Sequence, residues 1–220
     1  MGVREMNLIE LAHKVKKKGI LKSLSIPFNA YIFSNWEMLL LERQLKKEEV
    51  QEKNNLAKCV VTNENLHIFE KNFKKYIPSI KHLLAEGSHP QVYIDENDDA
   101  CAMLWIHDNG DYYDKLLYKC HIHIPKGSIY QFAGEVAKSK RGNRVVLYSQ
   151  QNIWNEYYEK GFKSTRALVH NVNNSALKMH IKVGFKETGQ LIRIYKIFHF
   201  FTFVKYENYN ETRLKLNRNK

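Results

Sequence analysis

The apolar residues of this chain recur with two periods, and the switches between them predict its elements. From residue 57 onward, short alternating or continuously apolar runs read as strands. They are "AKCVV", the hairpin "QVYIDENDDACAMLWIH" with its acidic turn, "YKCHIHIP", "GSIYQFAGEVA" and "STRALVH". Stretches of helical period lie between them. "ENLHIFEKNFKKYIPSIKHLLAEG" predicts one or two helices, broken near Pro78 and ended at Gly87. "GNRVVLYSQQNIWNEYYEKGFK" predicts an amphipathic helix ending at Gly161, and "NSALKMHIKV" a shorter one that stops at Gly184 and Phe185. "GQLIRIYKIFHFFTFVKY" gives one or two final strands. The order β-αα-β-β-β-α-β-α-β predicts an α+β (α/β mixed) fold. Its strand–helix–strand–helix portion makes a parallel pair with a right-handed crossover. Ligands bind outside the carboxyl ends of such strands.

Residues 1–55 follow a different pattern, which divides the chain into an N-terminal extension (1–55), a domain (56–206) and a basic C-terminal tail (207–220), whose stretch "NETRLKLNRNK" (210–220) reads as frayed. In the extension, Leu8, Leu11, Ala12 and Val15 share one helical face, and Lys14, Lys16, Lys17 and Lys18 cluster before Gly19. This predicts a basic amphipathic helix, with two readings: contact with an anionic membrane surface, or packing on the domain. "WEMLLLERQL" (36–45) fits a strand or a short helix, and "KKEEVQEKNN" (46–55) a linker.

Composition sharpens the choice of partners. The formal net charge is +12, which favours an anionic partner such as a phosphorylated cofactor, a membrane face or a nucleic acid. Hydrophobic residues make up 44% of the 220, enough for a sizeable core. Cys59, Cys101 and Cys120 are odd in number and far apart, as expected of reduced thiols in a cytoplasmic protein. No apolar run approaches the ~20 residues of a spanning helix. Glu10, His13 and Lys14 break the segment a signal peptide would need.

Two stretches carry candidate chemistry. "EVAKSKRGNRVV" (135–146) runs from a strand through a turn into a helix start. A helix N-terminus presents unpaired N–H groups and a partial positive charge, so it suits a phosphate. Lys138, Lys140, Arg141 and Arg144 add full charges there. "HNVNNSALKMHIKVGF" (170–185) runs from strand through an Asn turn into a helix, with His180 expected to face outward from the last turn and Asn173 to cap the first. In the strand before the first stretch, Gly134 suggests a bulge that re-aims the chain. Without a bulge, period-two geometry would point Glu135 away from Tyr130 and Phe132. His121 and His123 share a strand face but lack an evident third ligand, so no metal is expected. Tyr157 and Tyr158 read as core and rim.

The pairing of "VAKSKRGN" with "NVNNSALKMHIKVGF" resembles the GNAT superfamily of acyl-CoA-dependent N-acyltransferases. Arg141 and Gly142 match its phosphate loop. Asn173, Ala176, Lys182, Gly184 and Phe185 match its later motif. The resemblance spans about 57–205, with recognisable motifs over 130–190. It implies a mostly antiparallel central sheet with a splayed parallel strand pair, flanked by helices, here with an N-terminal helical extension. It implies acetyl-CoA as co-substrate, held by Val136, Arg141, Gly142, Asn143, Arg144, Val145, Val146 and Asn173. It implies an amine acceptor that attacks the thioester directly, with Glu135 as base, Tyr130 facing the substrate and His180 in the place of the family's Tyr as the acid for the departing thiolate. Arg144 and Val146 depart from the pattern, standing where the family has small residues, and Lys138 replaces its usual Pro. These departures keep a second reading open, a GNAT-fold acyl-CoA-binding or regulatory protein without turnover. A narrower likeness to GNAT proteins found among bacterial surface-polysaccharide genes points to an amino sugar or another small metabolite as acceptor. Nucleic acid is not expected as a partner. Peripheral contact with the inner membrane face and a homodimer remain open.

Overall fold

The computed structural model describes residues 33–49, 56–142, 144–198 and 201–214; for 144–146 it describes the backbone alone. The expected helix over 8–19, residues 50–55 of the expected linker, and 215–220 lie outside these.

Phe33–Gln44 forms β1 and Ala57–Cys59 forms β2. A helical segment follows, made of a 3-10 turn (Leu66–Phe69), α1 (Glu70–Phe73), a second 3-10 turn (Lys74–Tyr76) and α2 (Ile77–Ala85). The expected break at Pro78 falls earlier, in the Lys74–Tyr76 turn. Pro78 itself sits in the first turn of α2, where its missing N–H leaves no bond unmade. The strands β3 (His89–Ile94) and β4 (Ala100–His107) form the expected hairpin. Asp95 shapes its turn by accepting from the amides of Asn97 and Asp99. The strands β5 (Tyr112–Asp114) and β6 (Cys120–Ile122) form a small sheet of their own. Then come β7 (Ser128–Val136), α3 (Arg144–Glu159), β8 (Ser164–His170), α4 (Asn174–Lys182), β9 (Lys186–Ile197) and β10 (Phe201–Asn208).

Eight strands join in one sheet in the order β10-β9-β1-β8-β7-β4-β3-β2. All pairings are antiparallel except β7 with β8. The fold class read from sequence, a mostly antiparallel sheet with one parallel pair and flanking helices, is therefore what the chain forms. The division at 55/56 does not hold for residues 33–44. They form a central strand between β8 and β9, not part of a separate extension. Met38, Leu39, Leu40 and Leu41 are all buried, because both faces of this strand are covered. The expected frayed tail is also corrected in part. Tyr209 N donates to Gly189 O, and Arg213 donates through its amide to Glu187 and pairs with Glu37 across 3.0 Å, so this stretch packs back on β9 and β1.

One face of the sheet carries α3. Trp154 Nε1 donates to Gln131 of β7 at 3.0 Å, and the Tyr93 hydroxyl of β3 donates to Ser149 O. Arg43 of β1 locks α3 and α4 together on that side. Its guanidinium lies 3.9 Å over the Trp154 ring, its Nε donates to Val183 O, and it pairs with Glu48. The β5–β6 hairpin roofs the opposite face. Tyr112 packs on Tyr130 and Phe132, Tyr206 of β10 accepts from His121 N, and Arg166 of β8 donates to His123 O. Tyr157 is buried and Tyr158 lies at the rim.

Candidate active site between the parallel strands

β7 and β8 stay in register from Ser128 opposite Ser164 to Gln131 opposite Ala167, and there the pairing ends. Beyond that point each strand leads to a helix. From β7 the chain passes through a 3-10 turn (Lys138–Lys140) and Gly142, whose φ of +79° favours glycine, into α3 at Arg144. From β8 it passes through Asn173 into α4. Asn173 Oδ1 accepts from Ala176 N at 3.2 Å, the expected cap. Two helix N-termini thus follow the diverging strand ends.

β7 carries the bulge that Gly134 suggests. Trp105 of β4 faces Phe132 and Met103 faces Glu135, so Ala133 and Gly134 together oppose the single residue Leu104. Ala133 takes the left-handed φ of +47°. A side chain at 134 would stand 3.2 Å from Leu104 Cδ1, a tight contact to which Leu104 would have to yield. The extra residue resets the alternation. Since directly opposed residues share a face, Glu135 joins Phe132 and Tyr130 on one side of the sheet.

Glu135 has two neighbours there. Its Oε1 accepts from the Tyr76 hydroxyl, and its Oε2 lies 3.9 Å from Arg141 Nη2. Arg141 Nε also donates to Val136 O at 3.1 Å. Tyr76 carries no sequence motif and is 59 residues from Glu135, so sequence gave no signal for it. Burial first, and then the bond to Glu135, raise the Tyr76 hydroxyl above its ordinary pKa, so it donates rather than ionises. Lys138 and Arg141 lie close to the strand end, and both Arg141 and Gly142 are exposed, as an anion site requires. Asn143 and the side chains of Arg144, Val145 and Val146 lie outside the described residues.

Two expectations change. His180 does not face outward. It is 9% exposed, its Nδ1 lies 2.8 Å from Ala176 O, and its ring meets Phe185 edge-on at 4.9 Å. Burial lowers its pKa, so the ring is neutral at pH 7 and ill suited to protonate a leaving group. Tyr130 is buried rather than open to substrate, stacked on Phe132 at 5.4 Å and packed against Tyr112, and burial lifts its hydroxyl well above the usual range. Of the three candidate catalytic residues, Glu135 is the one with an accessible polar group at the splay. At the end of β8, His170 lies 6.4 Å from the ring of Trp36, and burial lowers its pKa.

A cavity of about 540 Å³ opens beside the same strand end, lined by Glu37, Asn171, Tyr209 and the stretch to Arg213. It lies toward β1, on the far side of β8 from β7, and is distinct from the splay. Among the described residues no group of three or more His, Cys, Asp or Glu is placed to hold a metal, and no helix is long and apolar enough to cross a membrane.

Compared by sequence, the chain matches no family model and no curated protein. Compared by structure, it is similar to a conserved protein of unknown function from Staphylococcus epidermidis, with 12% identity and a TM-score of 0.53 over 88% of this chain and 68% of that one. It is also similar to the GCN5-related glucosamine N-acetyltransferase region of a fungal multi-domain GH3 β-N-acetylglucosaminidase, with 15% identity and a TM-score of 0.52 over 77% of this chain. There the match spans only 22% of the larger protein. A GCN5-related N-acetyltransferase from Sphaerobacter thermophilus matches over 80% of this chain and 56% of its own, with 10% identity and a TM-score of 0.48. With its sheet order, its splayed parallel pair and its bulged strand, the chain has the fold of the GCN5-related N-acetyltransferases.

Proposed function

We propose that the protein is an N-acyltransferase that moves an acetyl group from acetyl-CoA to a primary amine in a ternary complex. The observation that carries this reading is the splay past Gln131 and Ala167, with a bulged strand on one side and the Arg141–Gly142 turn into α3 beyond it. Arg141, Gly142 and the first amides of α3 hold the diphosphate, and Asn173 and Val136 line the pantetheine arm. Main-chain amides around Gly134 polarise the thioester carbonyl, where oxyanion stabilisation is worth most. The amine nitrogen attacks that carbon, the C–N bond forms and the C–S bond breaks. Glu135 takes the amine proton, and the departing thiolate takes up a proton from solvent to leave as CoA. The acceptor in this proposal is a small amine, with an amino sugar as first choice. Support comes from the glucosamine N-acetyltransferase region that shares the fold.

The unusual residues Arg144 and Val146 favour a second reading, in which the fold binds acyl-CoA without turnover. Calorimetry with acetyl-CoA at two salt concentrations, followed by thiol release with glucosamine and a panel of amines, separates the two. Binding that weakens with salt, together with thiol release, is the expected outcome. Binding without release under any acceptor supports the regulatory reading, and no binding removes both.

A further inference from the structure

One cation of the candidate phosphate turn, Arg141, is turned toward the strand end. Arg141 reaches back along the end of β7, where its Nε donates to Val136 O at 3.1 Å and its Nη2 stands 3.9 Å from Glu135 Oε2. The other carboxylate oxygen accepts from Tyr76, which comes from a different part of the chain and holds Glu135 in place. The group suited to an anion and the group suited to an amine proton are therefore partners of each other. Bidentate chelation of a diphosphate would use the Nη edge that now faces Glu135, so it would draw the guanidinium away from that carboxylate.

We propose that Arg141 is exchanged between Glu135 and the cofactor's diphosphate, so that loading of acetyl-CoA is the event that frees Glu135 Oε2 for the acceptor. This rests on the acyltransferase reading above. The pair is poised for exchange. The Arg141 side chain is 60% exposed and that of Glu135 33%, so their attraction is screened and weak. A diphosphate offers Arg141 more negative charge and a bidentate partner. Before loading, an incoming ammonium meets the Arg141 charge beside Glu135 and is repelled. After loading, Tyr76 still anchors Oε1 while Oε2 is open.

The test is a double-mutant cycle read by calorimetry with CoA at low salt on the full chain. Glu135→Gln releases Arg141 and tightens CoA by about two- to five-fold, the range of an exposed ion pair. Arg141→Gln weakens CoA, and adding Glu135→Gln to it changes nothing further. Thermal melts check that these exposed substitutions leave the fold intact. Unchanged affinity in Glu135→Gln overturns the exchange. So does equal tightening in the Arg141→Gln background, which would signal only the loss of a nearby negative charge. If wild-type protein does not bind CoA, the acyltransferase reading falls and the exchange with it; if it binds and the two substitutions act independently, the exchange alone falls.

Discussion

Burial of His180 against Phe185 has a consequence for acid stability. Folding keeps the ring neutral, while the unfolded chain takes up a proton near the ordinary value of ~6.5. The folded pKa lies below the unfolded one, so the stabilisation is complete above that pH and is lost as the pH falls through it toward the folded value. His170, also lowered by burial, acts in the same direction. The melting temperature of the wild type should fall between about pH 7 and about pH 5.5, and His180→Gln should flatten that fall. Identical slopes in the two proteins would show that His180 is not the group responsible. The inward face of His180 was legible in the sequence, because Leu177 and His180 stand three apart on α4 and both are buried. The expectation that it faces outward overlooked this spacing. Asn173 was legible for the opposite reason, since a cap is a local contact between neighbours in the chain. Tyr76 was not, because its bond to Glu135 depends on how the 66–85 segment lies across the sheet.

Among the elements, β1 and β7 differ in how far sequence could go. Gly134 marked the bulge in β7, since a glycine inside an apolar run signals a break in pairing. The bulge in turn explains why Glu135 shares a face with Phe132 despite its odd spacing. The run "MLLL" in β1 could not be assigned, because a strand buried on both faces loses the alternation that would distinguish it from a helix. Nor does any local pattern reveal that this strand inserts between β8 and β9, a placement made by long-range pairing. The position makes β1 indispensable. Leu41 is fully buried, and Leu41→Ala should cost about 2–5 kcal/mol, the lost transfer energy plus the cavity left behind. Phe201→Ala on the edge strand β10, where the ring is 61% exposed, should cost much less. Chemical denaturation of both proteins reads the contrast, and equal losses would contradict a central role for β1.

At the scale of the whole molecule, the sheet has two edges of different character. β2 is three residues long, too short to template another chain. β10 is eight residues long, and it exposes Phe201 at 61% and Phe203 at 56%. Among the described residues β10 lies at the end of the sheet. An edge of this length leaves, among those residues, backbone groups unpaired beside apolar side chains, and the expected contact for them is a second copy of the chain that extends the sheet. The formal charge of +12 on each copy opposes that approach. The two effects respond differently to salt. Raising ionic strength from ~0.02 M to ~0.5 M shortens the Debye length and screens the repulsion, while leaving apolar burial and strand pairing in place. Sedimentation velocity should therefore show self-association that grows with salt, the reverse of what an ion-paired interface would give. Phe203→Lys adds charge and removes apolar area at the centre of the edge, and should hold the protein monomeric at every salt concentration. A wild-type protein that stays monomeric at high salt, or a Phe203→Lys variant that associates as readily, would mean that β10 is not the contact.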